Sequence, residues 1–286
     1  MNSNTESVAD YYDKNTAAFL RFGHGGKEYA IHRAVWDAHT TERREALHYI
    51  DRIIIETIQT YEVGKGIDLG CGCGASMFYI AEKVPGIPLR GITLSKEQYR
   101  IGASLVRKSG HDISIYHGSY LDPSFYRSTG LPGTPKRQKT LLFAVESFLH
   151  SPEREGFFQQ LRDATRPGDL LLICDDFLVE PPETRREKKL LDEFVLGWHA
   201  VNLQSTLEFK NYARRFSFSV IEDRNLTGML ELNRIRDRII RLIIPFLRLF
   251  RASGAYSNNL TGGNALQLLL LRNIINYRCF ILERAA

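Results

Sequence analysis

The segment Ile67-Asp68-Leu69-Gly70-Cys71-Gly72-Cys73-Gly74 sets three glycines at alternate positions between an apolar run and a helix-forming stretch. Few folds use such an arrangement. Glycine reaches backbone conformations closed to other residues and lets a ligand come close to the chain. A helix that begins just after the turn aims its free N–H groups and positive dipole end at that ligand. The surrounding pattern agrees with a strand–turn–helix unit. Strand-like runs at Lys65–Leu69, Leu89–Thr93, Ile113–Tyr116, Thr140–Val145 and Asp169–Asp175 alternate with helical stretches at 75–84, 95–109 and 153–165. Such alternation predicts an α/β fold, a Rossmann-like parallel sheet with helices on both faces. Segment 121–139 carries Pro123, Gly130, Pro132, Gly133 and Pro135 and reads as a loop.

Both flanks differ from this core. Residues 5–22 read as a helix with Tyr12, Phe19 and Phe22, stopped by Gly23, Gly25 and Gly26. Residues 31–61 read as one or two amphipathic helices with Ile50, Ile53, Ile54 and Ile58 on one side. From Pro181 to about Arg251 the chain is mostly helical, with a strand at Phe216–Ile221, and it closes with a helix near Ala265–Asn273 and a strand at Asn276–Leu282. The expected organisation is an N-terminal helical lid (1–62), a nucleotide-binding-type core (63–180), a helical cap or substrate region (181–255) and a C-terminal helix and strand that complete the core (256–286).

Other glycine-loop chemistries fit poorly. A dinucleotide site needs G-x-G-x-x-G and an acid about 20 residues on, whereas the second strand ends Gly91-Ile92-Thr93. A P-loop needs Gly-Lys-Ser/Thr, and Gly74 is followed by Ala75. The formal net charge of +5 is scattered except between Arg234 and Arg251, unlike the one-sided basic face of a nucleic-acid binder. Cys71, Cys73, Cys174 and Cys279 form no C-x-x-C pair, so four reduced thiols and no metal site are expected. The polar, acidic start MNSNTESVADYYD is no targeting peptide, and the apolar run Ile239 to Phe250 is too short and too interrupted to span a membrane. These features predict a cytoplasmic protein.

The D-x-G-x-G-x-G form resembles motif I of class I S-adenosylmethionine (SAM)-dependent methyltransferases. The resemblance implies that Gly70, Gly72 and Gly74 wrap the methionine part of SAM and that Asp68 helps hold its amino group. The second strand runs on as Gly91-Ile92-Thr93-Leu94-Ser95-Lys96-Glu97-Gln98, which is similar to the tocopherol and geranyl diphosphate C-methyltransferases. Carried over by position, Thr93, Leu94 and Gln98 contact ribose and adenine; Ser95 reads independently as a helix N-cap. Gly118-Ser119-Tyr120 follows the third strand. The family often has Asp where Ser119 stands, and serine is a weaker acceptor for the adenine amino group. After the fourth strand, Glu146-Ser147-Phe148-Leu149-His150 resembles an E-x-x-x-H segment of sterol and tocopherol C-methyltransferases. Tyr11-Tyr12-Asp13 and Phe22-Gly23-His24-Gly25 resemble the sterol-type segment that closes over SAM and substrate. The resemblance covers residues 8–175 and extends to prenyl C-methyltransferases of the teleocidin type.

Methylating an alkene or aromatic carbon leaves a carbocation. A carboxylate and aromatic faces in a dry pocket stabilise it, and a base then removes a proton. Glu146 and His150 suit those roles, with Tyr11, Tyr12, Phe22, Trp198 and Phe209 as candidate wall aromatics. Ile239, Ile240, Ile243, Ile244, Phe246, Leu247 and Phe250 could line a large apolar pocket, pack against the sheet, or form a subunit contact in a homo-oligomer. Arg234, Arg236, Arg238, Arg241 and Arg248 read as a solvated face, or as residues that hold a diphosphate or touch an anionic membrane surface. With no acid-rich diphosphate–Mg motif, the expected substrate is an uncharged terpenoid or prenylated aromatic. The rivals are a small-molecule O- or N-methyltransferase with His150 as base, and a scaffold with a dead site. DNA methylation lacks its N/D-P-P-Y/F segment.

Overall fold

The computed structural model describes residues 8–16, 29–131, 138–249 and 255–286; of the side chains at 245–249 and 255–258 nothing is said. Seven strands form one sheet: β1 (Val63–Leu69), β2 (Leu89–Thr93), β3 (Ile113–His117), β4 (Lys139–Val145), β5 (Leu170–Leu178), β6 (Phe218–Asn225) and β7 (Ile275–Arg284). Their order is β3-β2-β1-β4-β5-β7-β6. Strands β1 to β5 pair in parallel, and β7 inserts antiparallel between β5 and β6.

Residues 8–16 are helical (α1). The other helices are α2 (Arg43–Leu47), α3 (Tyr49–Thr60), α4 (Ala75–Lys83), α5 (Lys96–Ser109), α6 (Pro123–Ser128), α7 (Arg154–Ala164), α8 (Arg185–Trp198), α9 (Thr206–Arg215), α10 (Ile235–Leu249) and α11 (Ala255–Leu271).

The central strands are buried on both faces, so they read as continuous apolar runs. Along β4, Leu141 and Phe143 join one core with Ile50, Ile53, Ile54 and Ile58 of α3 and Leu266 and Leu269 of α11. Leu142 and Ala144 join the other, a phenylalanine-rich core with Phe157 and Phe158 of α7 and Phe209 of α9.

Three expectations change. Residues 31–42 are irregular rather than helical, pinned by a bridge from Val35 to Leu230. Segment 121–139 contains α6, because Pro123 stands at its first turn, where a missing N–H is harmless, and Asp122 caps it. The stretch 181–255 supplies the edge strand β6 to the sheet as well as helices, and α3, in the stretch read as lid, packs into the core. Phe19, Phe22, Gly23, Gly25, Gly26 and Phe250 lie outside the described residues, as do the side chains of Phe246, Leu247 and Arg248.

Candidate active site

A cavity of about 490 Å³ lies at the carboxyl ends of the parallel strands. Its wall combines the glycine loop, the end of β2, the residues after β4, Asp175 and Asp176 of β5, and parts of α1, α10 and α11.

The loop turns through left-handed backbone, with φ of 112° at Gly70 and 56° at Gly72. Its amides at Gly70 and Cys71 both donate to the Ile92 carbonyl, at 3.1 and 2.9 Å. A Cβ on Gly70 would lie 2.4 Å from the Cβ of Ser147. One on Gly72 would meet only Gln98, at 4.0 Å, so the absent side chain there keeps the wall open. Gly74 does not line the cavity; it is the left-handed residue ahead of α4, packed near Ile115 and Phe78.

Thr93, Leu94 and Gln98 line the cavity. The Thr93 hydroxyl donates to Oε1 of Gln98 at 2.8 Å. Ser95 caps α5 by accepting from the Gln98 amide, and its hydroxyl donates to Asp13 of α1. Asp68 is buried on the wall, and burial, with Asp51 behind it, holds its carboxyl well above the usual range. A carboxyl so placed gains from a cation beside it. Ser119 is not on the wall, because its hydroxyl accepts from the Leu121 amide at 3.1 Å. Tyr120 is on the wall and donates to the Ser147 carbonyl at 3.0 Å.

Glu146 takes a left-handed backbone, φ 51°, straight after β4. That conformation costs a non-glycine residue roughly 1–2 kcal/mol, and here it turns the side chain into the cavity wall. Its Oε1 accepts from the Arg33 amide (2.9 Å), the Arg33 Nε (3.1 Å) and the Tyr277 hydroxyl (2.9 Å). No described group bonds Oε2. Arg33 also forks onto Asp176, at 2.9 and 3.0 Å, and lies 4.0 Å over the Tyr277 ring. Burial raises the Glu146 carboxyl, but Arg33 and His32 outweigh it and the net shift is downward. Asp175 is fully buried and pushed up to about 8, by burial first and then by Asp176. One guanidinium therefore bridges two carboxylates, Glu146 and Asp176, while Asp175 accepts from the Leu149 and Asp176 amides.

His150 ends a 3₁₀ turn, Phe148–His150. Its Nδ1 lies 3.2 Å from the His199 carbonyl and its Nε2 3.0 Å from the Tyr12 hydroxyl. A carbonyl can only accept, so Nδ1 carries the proton and Nε2 accepts from Tyr12. His199 is the left-handed cap of α8, φ 52°, which aims that carbonyl. Burial pulls His150 down to about 4.

Tyr11, Tyr12 and Trp198 line the cavity, and Tyr11 donates to Asn259 of α11. Phe209 does not: it is fully buried against Phe177 and Phe280, at 5.1 and 4.7 Å, because α9 turns that face to the sheet. Ile240 is on the wall, Ile244 faces a second cavity, and Ile239 and Ile243 are exposed. Arg33, Asp176, Tyr277 and Asn259 are site residues that sequence reasoning missed. The paired acids at the end of β5 were a usable signal for Asp176; Arg33, in irregular chain, had none.

No family model matches the chain. A cycloartenol-C-24-methyltransferase of Oryza sativa subsp. japonica is 24% identical over 229 residues, 78% of this chain and 61% of that protein. A chloroplast tocopherol O-methyltransferase of Arabidopsis thaliana is 26% identical over 168 residues, 56% of this chain and 45% of that protein. The chain thus spans less than two thirds of the curated relatives it matches. Among solved structures, the geranyl diphosphate C-methyltransferase of Streptomyces coelicolor A3(2), solved with Mg2+, geranyl diphosphate and S-adenosyl-L-homocysteine, superposes with a TM-score of 0.68. It shares 17% identity and covers 99% of this chain and 98% of that one. The chain has the class I SAM-methyltransferase fold. In sequence it is similar to the cycloartenol and tocopherol methyltransferases, and in fold to the geranyl diphosphate C-methyltransferase.

Proposed function

We propose that the chain is a SAM-dependent C-methyltransferase that adds a methyl to an alkene or aromatic carbon of a terpenoid or prenylated small molecule through a carbocation. Prenyl C-methylation of the teleocidin type, in secondary metabolism and with cyclisation of the cation where the substrate allows, is the finer form of this reading. The observation that carries it is the wall itself. A glycine loop with Thr93, Leu94, Gln98 and buried Asp68 borders the same cavity as the Glu146 carboxylate.

The residues fit SAM. Gly70 and Gly72 open the loop, and Asp68 is a buried carboxyl in want of a cation such as the SAM amino group. When bound, SAM supplies an electrophilic methyl. The chain's own part is to orient the acceptor carbon, exclude water and hold the charge that follows. Glu146 offers Oε2 to the cavity, and Tyr11, Tyr12 and Trp198 offer ring faces and edges. A fixed carboxylate in a water-poor site needs no reorganisation as positive charge grows.

His150, kept neutral by burial, can take up the proton released after methyl transfer. The second reading, a small-molecule O- or N-methyltransferase, is favoured by the similarity to the tocopherol O-methyltransferase. Incubation with methyl-labelled SAM and a panel of prenylated metabolites, followed by mass spectrometry and NMR of the product, tests the choice. A new carbon–carbon bond supports the first reading, and label on oxygen or nitrogen replaces it with the second.

A further inference from the structure

Helix α10 is apolar on the face it turns away from the protein. At about 100° per residue, Ile235, Ile239, Leu242 and Ile243 fall within an arc of about 100°. All four are exposed, Ile235 at 77% and Leu242 at 72%. Arg238 borders one side of this arc and Arg236 the other, and both are exposed. The opposite face points inward: Asp237 and Ile240 line the cavity beside the glycine loop, and Ile244 is buried. Asp237 is the only acid of the helix, and it is buried and pairs with Arg234 at 3.4 Å. The outer face of α10 is therefore apolar along its centre and basic along both edges.

A contiguous exposed apolar stripe with a polar rim marks a surface made to be covered, and the charge pattern selects what covers it. A second copy of this chain, docked face to face, would set arginine against arginine with no acid of α10 between them. A bilayer with anionic headgroups matches both parts. The apolar centre sinks toward the acyl chains while the arginines on each flank reach the phosphates. Arg186 and Lys189 of α8 and Arg272 just beyond α11, all exposed, add positive charge around the hollow that these helices share with α10. With 15 residues, Arg241 and Pro245 among them, α10 falls short of the roughly 20 apolar residues that a span requires. It is built to lie on a membrane and not to cross one.

We propose that α10 docks the protein on an anionic membrane surface, burying Ile235, Ile239, Leu242 and Ile243 below the headgroups while Arg236 and Arg238 hold lipid phosphates. Docking sets the other side of the same helix, the cavity wall at Ile240, directly behind the bilayer surface. The inference does not rest on methyl transfer.

Flotation of the full chain with vesicles of phosphatidylcholine alone, and of phosphatidylcholine mixed with phosphatidylserine, tests the surface. Binding to the mixed vesicles is expected, and raised salt should weaken it. Leu242→Ser should weaken it by about tenfold or more, since most of one buried leucine is lost. Arg238→Gln should weaken it by about fivefold, the equivalent of about 1 kcal/mol for one cation at an anionic surface. Both positions are exposed, so an unchanged melting temperature separates lost docking from lost folding. Absence of binding to the mixed vesicles overturns the proposal. So does binding that both substitutions leave intact. Concentration-dependent self-association in sedimentation velocity that Leu242→Ser abolishes also overturns it, because the face then belongs to a second copy.

Discussion

Replacing Glu146 with Gln tests the cation-stabilising wall most directly. Gln keeps the shape, and its carbonyl oxygen can still accept from Arg33 and Tyr277 where Oε1 does now. Arg33 keeps its fork on Asp176. What goes is one negative charge beside the cavity. A unit charge about 5 Å from a growing cation, at an effective dielectric constant of about 20, is worth about 3 kcal/mol. That corresponds to a fall in kcat of roughly 10²-fold. SAM affinity should change little, because the glycine loop and the Thr93–Gln98 contact do not involve the Glu146 carboxylate. The assay is product formation with labelled SAM by mass spectrometry, beside calorimetric titration of S-adenosylhomocysteine. The variant also loses an ionised-state advantage in stability. Arg33 holds the Glu146 carboxyl below its ordinary value, so its contribution is present above the usual carboxylate range and vanishes as pH falls through the lowered pKa. Wild-type kcat in Glu146→Gln on the true substrate would refute the electrostatic argument.

Gly72→Val should abolish SAM binding with little loss of fold. A β-branched residue is strained at φ 56° and projects toward Gln98; titration calorimetry and circular dichroism check both halves. Deleting residues 1–22 should weaken SAM binding or turnover more than it lowers the melting temperature, because α1 meets the rest through Tyr12–His150 and Asp13–Ser95. Unfolding of the deletion variant would instead make this segment core. His150 supplies a pH test with a definite sign. Its folded pKa, about 4, lies below the ordinary 6.5, so between those values the unfolded chain binds the extra proton and stability falls with falling pH. The whole effect is about 3 kcal/mol at most. Denaturant midpoints of His150→Gln should show a flatter profile between pH 6.5 and 5, where ordinary carboxylates do not yet titrate. A profile parallel to wild type means that His150 is not desolvated.

The sheet was legible because its strands are short, apolar and bounded by turn residues. Leu89–Thr93 matches the predicted strand end to end, and β1 and β4 begin only one or two residues early. The sequence could not show that β6 joins the same sheet, because a strand's partner is set by tertiary packing rather than by its own pattern. Helix α6 was hidden by prolines that signal a break in a helix interior but a start at its first turn. At the site, the loop, Thr93, Leu94, Gln98, Glu146 and His150 could be placed because each follows a strand end. Phe209 was misassigned as a wall aromatic because an amphipathic helix does not announce which neighbour its apolar face meets. Arg33 was invisible, since its position depends on how an irregular segment folds back over β5 and β7.

The insertion of β7 between β5 and β6 also governs how the chain can reach its native state. Strand β6 leaves the ribosome some fifty residues before β7, a gap set by Asn225 and Ile275, and has no sheet partner until β7 arrives. Strand β5 meanwhile exposes an edge along nine residues, Leu170 to Leu178, whose hydrogen-bonding groups can recruit another chain. Pairings so distant in sequence form slowly, and a half-built sheet with an open edge is the species that aggregates during synthesis. Soluble yield should therefore respond to chaperones and to growth temperature more than the stability of the finished protein would suggest.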